Sequence, residues 1–206
     1  MGNLSTAVDV VIREPDHRVR LLEGMAAAVD EKGYFATTIG DIVRHARVSK
    51  RTFYEHFSDK EDCFLACYSF GGEQALRAIA QAAGSAGPWP QRVHAATHAY
   101  LATLQAEPAL TRTLLLEVHA AGPRALALRR TVLQRFAQLL RDLVEESRRC
   151  HPELRPLTPA MSTALVGGIN ELVLHTVEQG HAGQLIELTD TITDLVRAVL
   201  SGAMDH

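Results

Sequence analysis

A chain of 206 residues, 47% hydrophobic and 22% charged, buries a sizeable core, which excludes disorder as its main state. With 14 glycines and 8 prolines it is not fibrous or low in complexity, and no uncharged apolar run reaches the roughly 18 residues of a membrane span. The net charge of −3 hides a local excess of cations: Arg44, Arg47, Lys50 and Arg51, with His45, follow one another without an intervening acid.

Residues 1–15 read as a flexible polar arm ending at Pro15, with no apolar stretch leading to a cleavage site, so a cytoplasmic protein is expected. From Asp16 onward nearly everything reads as helix. Val19, Leu22, Ala26 and Val29 recur at three- and four-residue steps, between a capping Asp16 and a stop at Gly33. Thr38 opens a second helix, with Asp41 at the capping-box position. Ser49 opens a third that runs to about Phe57. Ser58, with Glu61, opens a fourth that runs to about Ala83. Two short helices joined at Arg47-Val48 make a helix-turn-helix.

The stretch 84–90 reads as a loop and the main break in the chain. Further helices are expected at about 91–106, 109–120, 124–149, 159–179 and 185–201, with Pro108, Pro123 and Pro159 at their starts. The fold class is therefore all-α, about nine helices with no sheet. Its parts are an arm (1–15), a helix-turn-helix module (16–62) and a larger helical body (63–206). Cys63, Cys67 and Cys150 are odd in number and lack a CxxC pair, so reduced, mostly packed thiols are expected rather than a disulfide framework.

Ile39, Ile42, Val43, Ala46, Val48, Phe53 and Phe57 can share one small core with the first helix. Lys50, Arg51, Thr52, Tyr54 and His56 are then left facing outward. A narrow rod bearing donors and a hydroxylated aromatic is what enters a major groove. The matching pieces are Gly33-Tyr34-Phe35, Thr37-Thr38, Ile42-Val43, Val48-Ser49, Thr52-Phe53-Tyr54-Glu55-His56-Phe57 and Lys60-Glu61. Together they resemble the DNA-binding module of TetR-family transcriptional regulators, over residues 16 to about 68. The resemblance implies a helical body that binds a ligand and dimerises.

That resemblance implies roles for particular residues. Thr38 resembles the family's hydroxyl and amide that grip a phosphate, and Ser49 and Thr52 make further backbone or base contacts. Tyr54 and His56 resemble the phosphate-contacting aromatic and imidazole, and Lys60 lies in the first turn of its helix, where a phosphate is favoured. Lys50 and Arg51 reach base edges, and Arg47 belongs to the same basic face. Many relatives carry glycine or alanine where this chain has Arg51.

In the body, Tyr68, His98, Tyr100, Leu115, Glu117, His119 and Phe136 are candidate lining for an effector cavity. Leu165, Ile169, Leu172 and Val173, then Ile192, Leu195, Val196 and Val199, form apolar stripes on the last two helices. These are the expected dimer seam, with Gly167-Gly168 permitting close approach. The expectation is a ligand-released repressor that binds a palindromic DNA operator as a homodimer. It has no catalytic role, cofactor, metal or membrane partner. The rival reading is a metal-dependent hydrolase or binding protein using His94, His98, His119 and Glu117, with His175 as the alternative to His119 among the metal ligands. No GxSxG, P-loop or GxGxxG pattern offers another enzymatic foothold.

Overall fold

A computed structural model describes residues 16–84 and 87–201. The arm expected at 1–15 lies outside the described residues. Among them the chain is helical with no strand: α1 (His17–Ala36), α2 (Ile39–Ala46), α3 (Lys50–His56), α4 (Lys60–Ala83), α5 (Trp89–Ala106), α6 (Pro108–Leu116), α7 (Pro123–Arg148), α8 (Pro159–Glu178) and α9 (Thr189–Ser201), with a 3₁₀ turn at Leu185–Leu188 before α9. None of these helices is long and apolar enough to cross a membrane.

Local chemistry accounts for most boundaries. Asp16 accepts from the Arg18 N–H at the start of α1, and Gly33 (φ 78°) interrupts the helical path before its last turn. Thr38 and Asp41 form the reciprocal capping box of α2. Ser49 caps α3 by accepting the Thr52 N–H at 3.0 Å. Two expectations shift. Asp59, not Ser58, caps α4, because its carboxylate accepts the Asp62 N–H at 2.8 Å while the Ser58 N–H donates to Asp62. Trp89-Pro90, expected in the loop, opens α5, since a proline in the first turn forfeits no intrahelical hydrogen bond.

The turn between α2 and α3 has no glycine. Arg47 takes the left-handed conformation there (φ 53°), which costs a residue bearing a Cβ about 1 kcal/mol. Its carbonyl accepts from the Arg20 guanidinium at 2.8 Å, tying the turn back to α1.

Two cores result. The first gathers Leu21, Met25, Ile42, Ala46, Phe53, Phe57, Phe64 and Val118, so α1–α3 pack on the beginning of α4 and the end of the α6 region. Gly24 sits where α1 crosses α2, and a Cβ there would lie 2.6 Å from the Ile42 carbonyl oxygen. The second core joins Leu101, Val144, Leu165, Val173, Leu185, Ile192 and Val196 within the body. Helix α4 belongs to both halves: its first turns complete the small core and its remainder walls the body, so no structural break falls at residue 62.

Candidate DNA-binding face and ligand cavity

Phe53 on α3 and Phe57 at its C-terminal cap are almost fully buried, which fixes the rotation of this seven-residue helix. Lys50, Arg51, Tyr54 and His56 are left exposed. Tyr54 is 60% accessible, although its ring packs edge-on against Phe53. Arg51 extends into solvent, and among the described residues its partner is Glu55 (3.2 Å). Thr52 shares a hydrogen bond with the Ser49 hydroxyl at 2.9 Å. Arg47 is exposed beside them. Arg47, Ser49, Lys50, Arg51, Tyr54 and His56 are thus exposed, and Thr52 is half-buried among them.

Two expected phosphate contacts are otherwise occupied. The Lys60 ammonium donates to the carbonyls of Tyr34 (2.8 Å) and Thr37 (3.0 Å), with Phe35 farther off. It also lies 4.3 Å from the centre of the Tyr34 ring. It is a cation closing the C-terminal end of α1, and burial pulls its pKa below the ordinary lysine value. Thr38 spends both groups on Asp41: its N–H donates at 2.9 Å and its hydroxyl at 2.6 Å. The basic run is also thinner than its composition implies. Glu31 of α1 lies 3.0 Å from Arg44 and 2.8 Å from His45, which turns both toward the protein.

The body holds an apolar cavity of about 190 Å³. Tyr68, Gly72, Ala75, Ile79 and Ala83 line it from one face of α4. This is four turns, or about 22 Å, and α5 and α7 line it over similar lengths. Gly71 and Gly72 permit this packing, for a Cβ on Gly71 would collide with Leu114 and one on Gly72 would lie 2.9 Å from Val132.

Tyr68, Tyr100, Leu115 and Phe136 line the cavity, whereas His98, Glu117 and His119 do not. The two histidines are exposed. Glu117, on the turn after α6, instead accepts the Tyr34 N–H at 2.8 Å beside the kink at Gly33. Sequence reading missed Trp89, Arg92, Thr97 and Asn170. The small residues at three- and four-residue steps on α4 were the available signal for this wall.

Helix α6 connects the two sites. Arg112 grips Asp30 with two hydrogen bonds (2.5 and 2.6 Å), and the Thr113 hydroxyl donates to the Ala26 carbonyl at 3.1 Å. From the same short helix, Thr111, Leu114 and Leu115 face the cavity.

The expected dimer seam is largely the monomer's own interior. Leu165, Val173, Ile192 and Val196 are buried in the second core, and Ile169 lines the cavity. Leu172 and Val199 pack against that core, and only Leu195 is exposed. The face that α8 leaves open carries Ala160, Ala164, Gly167, Gly168, Glu171 and His175. The metal alternative has no site among the described residues, where no three His, Cys, Asp or Glu side chains are grouped for it. His94 pairs with Asp190 (3.5 Å). Cys63 and Cys67 are buried, and Cys150 is exposed.

A helix-turn-helix module is thus joined through α4 to an all-helical body with a central cavity. The family model for bacterial regulatory proteins of the TetR family matches residues 21–67. No curated protein matches the chain in sequence. Among solved structures, the fatty acid degradation regulator FadR from Bacillus halodurans is similar over 94% of this chain and 99% of its own, with 18% identity and a TM-score of 0.80. FadR from Bacillus subtilis, solved in complex with stearoyl-CoA, is similar over 88% and 98%, with 14% identity and a TM-score of 0.75. The TetR-family regulator PfmR from Thermus thermophilus is similar over 92% and 98%, with 20% identity and a TM-score of 0.61. The match to the TetR-family model thus covers the N-terminal module, and the chain as a whole shares the fold of these solved regulators.

Proposed function

We propose that this regulator is a repressor that binds a palindromic operator as a homodimer and is released by an apolar small molecule held in the body cavity. The observation that carries this reading is α6, whose one face lines the cavity while its other side holds α1 of the DNA-binding module by Arg112 and Thr113. A ligand that favours one position of α6 thereby favours one placement of the module, and release needs only a difference in its affinity for the two states.

In this reading Lys50 and Arg51 reach base edges, while Arg47, Tyr54 and His56 meet phosphates. The seam between subunits is the open face of α8 with the exposed side of α9. Gly167 and Gly168 have no neighbouring atom within 4 Å to obstruct a partner's approach. A two-fold dimer presents its recognition helices about 34 Å apart, matching successive turns of the groove. The stearoyl-CoA bound by the Bacillus subtilis neighbour supports an acyl compound as the effector, because the cavity here is long and apolar.

Selection of genomic duplexes by the purified protein, at a stated salt concentration, tests the reading. An enriched palindrome whose complex dissociates on adding acyl compounds is the expected result. Folded protein that enriches no sequence would overturn it.

A further inference from the structure

The cavity holds few polar groups, and several are already partnered. The Thr111 hydroxyl donates to the Leu104 carbonyl (2.7 Å) and that of Ser147 to Leu143 (2.8 Å). The Arg92 Nε donates to the Ala83 carbonyl (2.6 Å). The hydroxyls of Tyr68 and Tyr100 have no protein partner among the described residues, although both side chains line the cavity. Tyr68 is only 7% exposed, and the Tyr100 ring packs edge-on against Phe136 with centroids 5.9 Å apart. Burial pushes the Tyr68 phenol up to about 12 and raises that of Tyr100 as well, so both are neutral donors at physiological pH. Each phenol lies within electrostatic reach of the other, since a charge on Tyr68 would raise Tyr100 further.

Tyr68 and Tyr100 therefore offer two neutral donors to a molecule that fills the cavity, with Thr97 and Asn170 as further polar residues of its lining. No Asp or Glu lines the cavity, so a cationic ligand finds no counter-charge there. The chain of an acyl compound fits the rest. From Tyr68 the α4 wall continues through Gly72, Ala75 and Ile79 to Ala83, beside Trp89 on α5, over about 22 Å of apolar surface.

Resting on the reading of this cavity as an effector site, we propose that Tyr68 and Tyr100 together hold the acyl oxygen of a long-chain acyl ligand whose alkyl chain runs along α4 toward Trp89. The shared chemistry is a carbonyl-type acceptor, carried either by a free carboxylate or by a neutral ester. Arg129 lies within electrostatic reach of Tyr68, so the carboxylate is not left without a nearby cation.

Trp89 is the chain's single tryptophan and lines the cavity, so its fluorescence reports occupancy directly. The full-length protein and its Tyr68→Phe and Tyr100→Phe variants are titrated with palmitate and with 1-monopalmitoylglycerol, and folding is checked by melting curves. Each variant keeps its ring and loses one hydroxyl. The expected result is saturable binding by the unaltered protein and a Kd raised about tenfold in each variant, as the loss of one hydrogen bond implies. The preferred compound identifies the head group, and preference for either one supports the anchor. Equal Kd values in all three proteins would overturn the tyrosine anchor and leave the cavity reading standing. No binding of either compound by the unaltered protein would overturn the anchor together with the acyl reading. Binding that weakens in the variants without release of the operator would support the anchor and overturn the release mechanism.

Discussion

Asp41 does more for the DNA-binding module than its place in a capping box suggests. Its carboxylate accepts from the Thr38 N–H and hydroxyl and from the Lys32 ammonium at 2.8 Å, which holds its pKa well below the ordinary 3.8. A carboxyl depressed on folding stabilises the native state fully above its unfolded value and loses that contribution as the pH falls through its folded value. Asp41→Asn is therefore expected to melt below the unaltered protein at pH 7, and the gap should narrow as the pH falls below 3.8. Thermal melts across pH 7 to 3 check this, and a gap independent of pH would contradict it. Thr38, held by Asp41, and Lys60, held by carbonyls at the end of α1, both resemble phosphate ligands in sequence. A hydroxyl, an amide and an ammonium grip phosphates and cap helix ends by the same chemistry, and only the distances to Asp41 and to the Tyr34 carbonyl tell the two uses apart.

Among the elements, α1 and α2 approach more closely than ordinary side chains allow. A Cβ on Gly24 would sit 2.6 Å from the Ile42 carbonyl oxygen and 2.9 Å from the Ala46 nitrogen, and backbone cannot swing aside as a side-chain tip does. Gly24→Ala is expected to cost about 1–3 kcal/mol of stability, seen as a lower melting temperature and weaker operator binding. Gly71 faces the movable end of Leu114 instead, so the same substitution there should be better tolerated. Helix α6 illustrates a different limit. Its sequence shows an apolar helix opened by Pro108. Its hold on Asp30 and Ala26, more than eighty residues earlier in the chain, belongs to the tertiary structure alone.

Across the whole molecule, most of the apolar residues expected at the subunit interface lie inside the body instead. Ile192 and Val196 wall the cavity, while the small residues of α8 face outward. If that open face is the dimer seam, Gly167→Arg should give a monomer by sedimentation and abolish binding to a palindrome, while the Trp89 response to acyl compounds persists. A dimer that survives the substitution would move the interface elsewhere.

The helix-turn-helix and nearly all helix boundaries were legible in the chain because caps, prolines and three- to four-residue apolar spacing act over a single turn. Asp16, Thr38, Ser49 and Pro159 mark the helix starts they were expected to mark. The outward face of α3 was legible for the same reason, since burying Phe53 and Phe57 sets the direction of Lys50, Arg51, Tyr54 and His56. An apolar stripe says that a helix face is covered but not by what, so the sequence left the fate of Ile192 and Val196 open. Polar pairing across the fold has the same character: nothing near Arg44 and His45 in the chain announces that Glu31 will meet them. The tertiary structure decided these points, along with the cavity and the tyrosines that line it, because each depends on distances between residues that are remote in sequence.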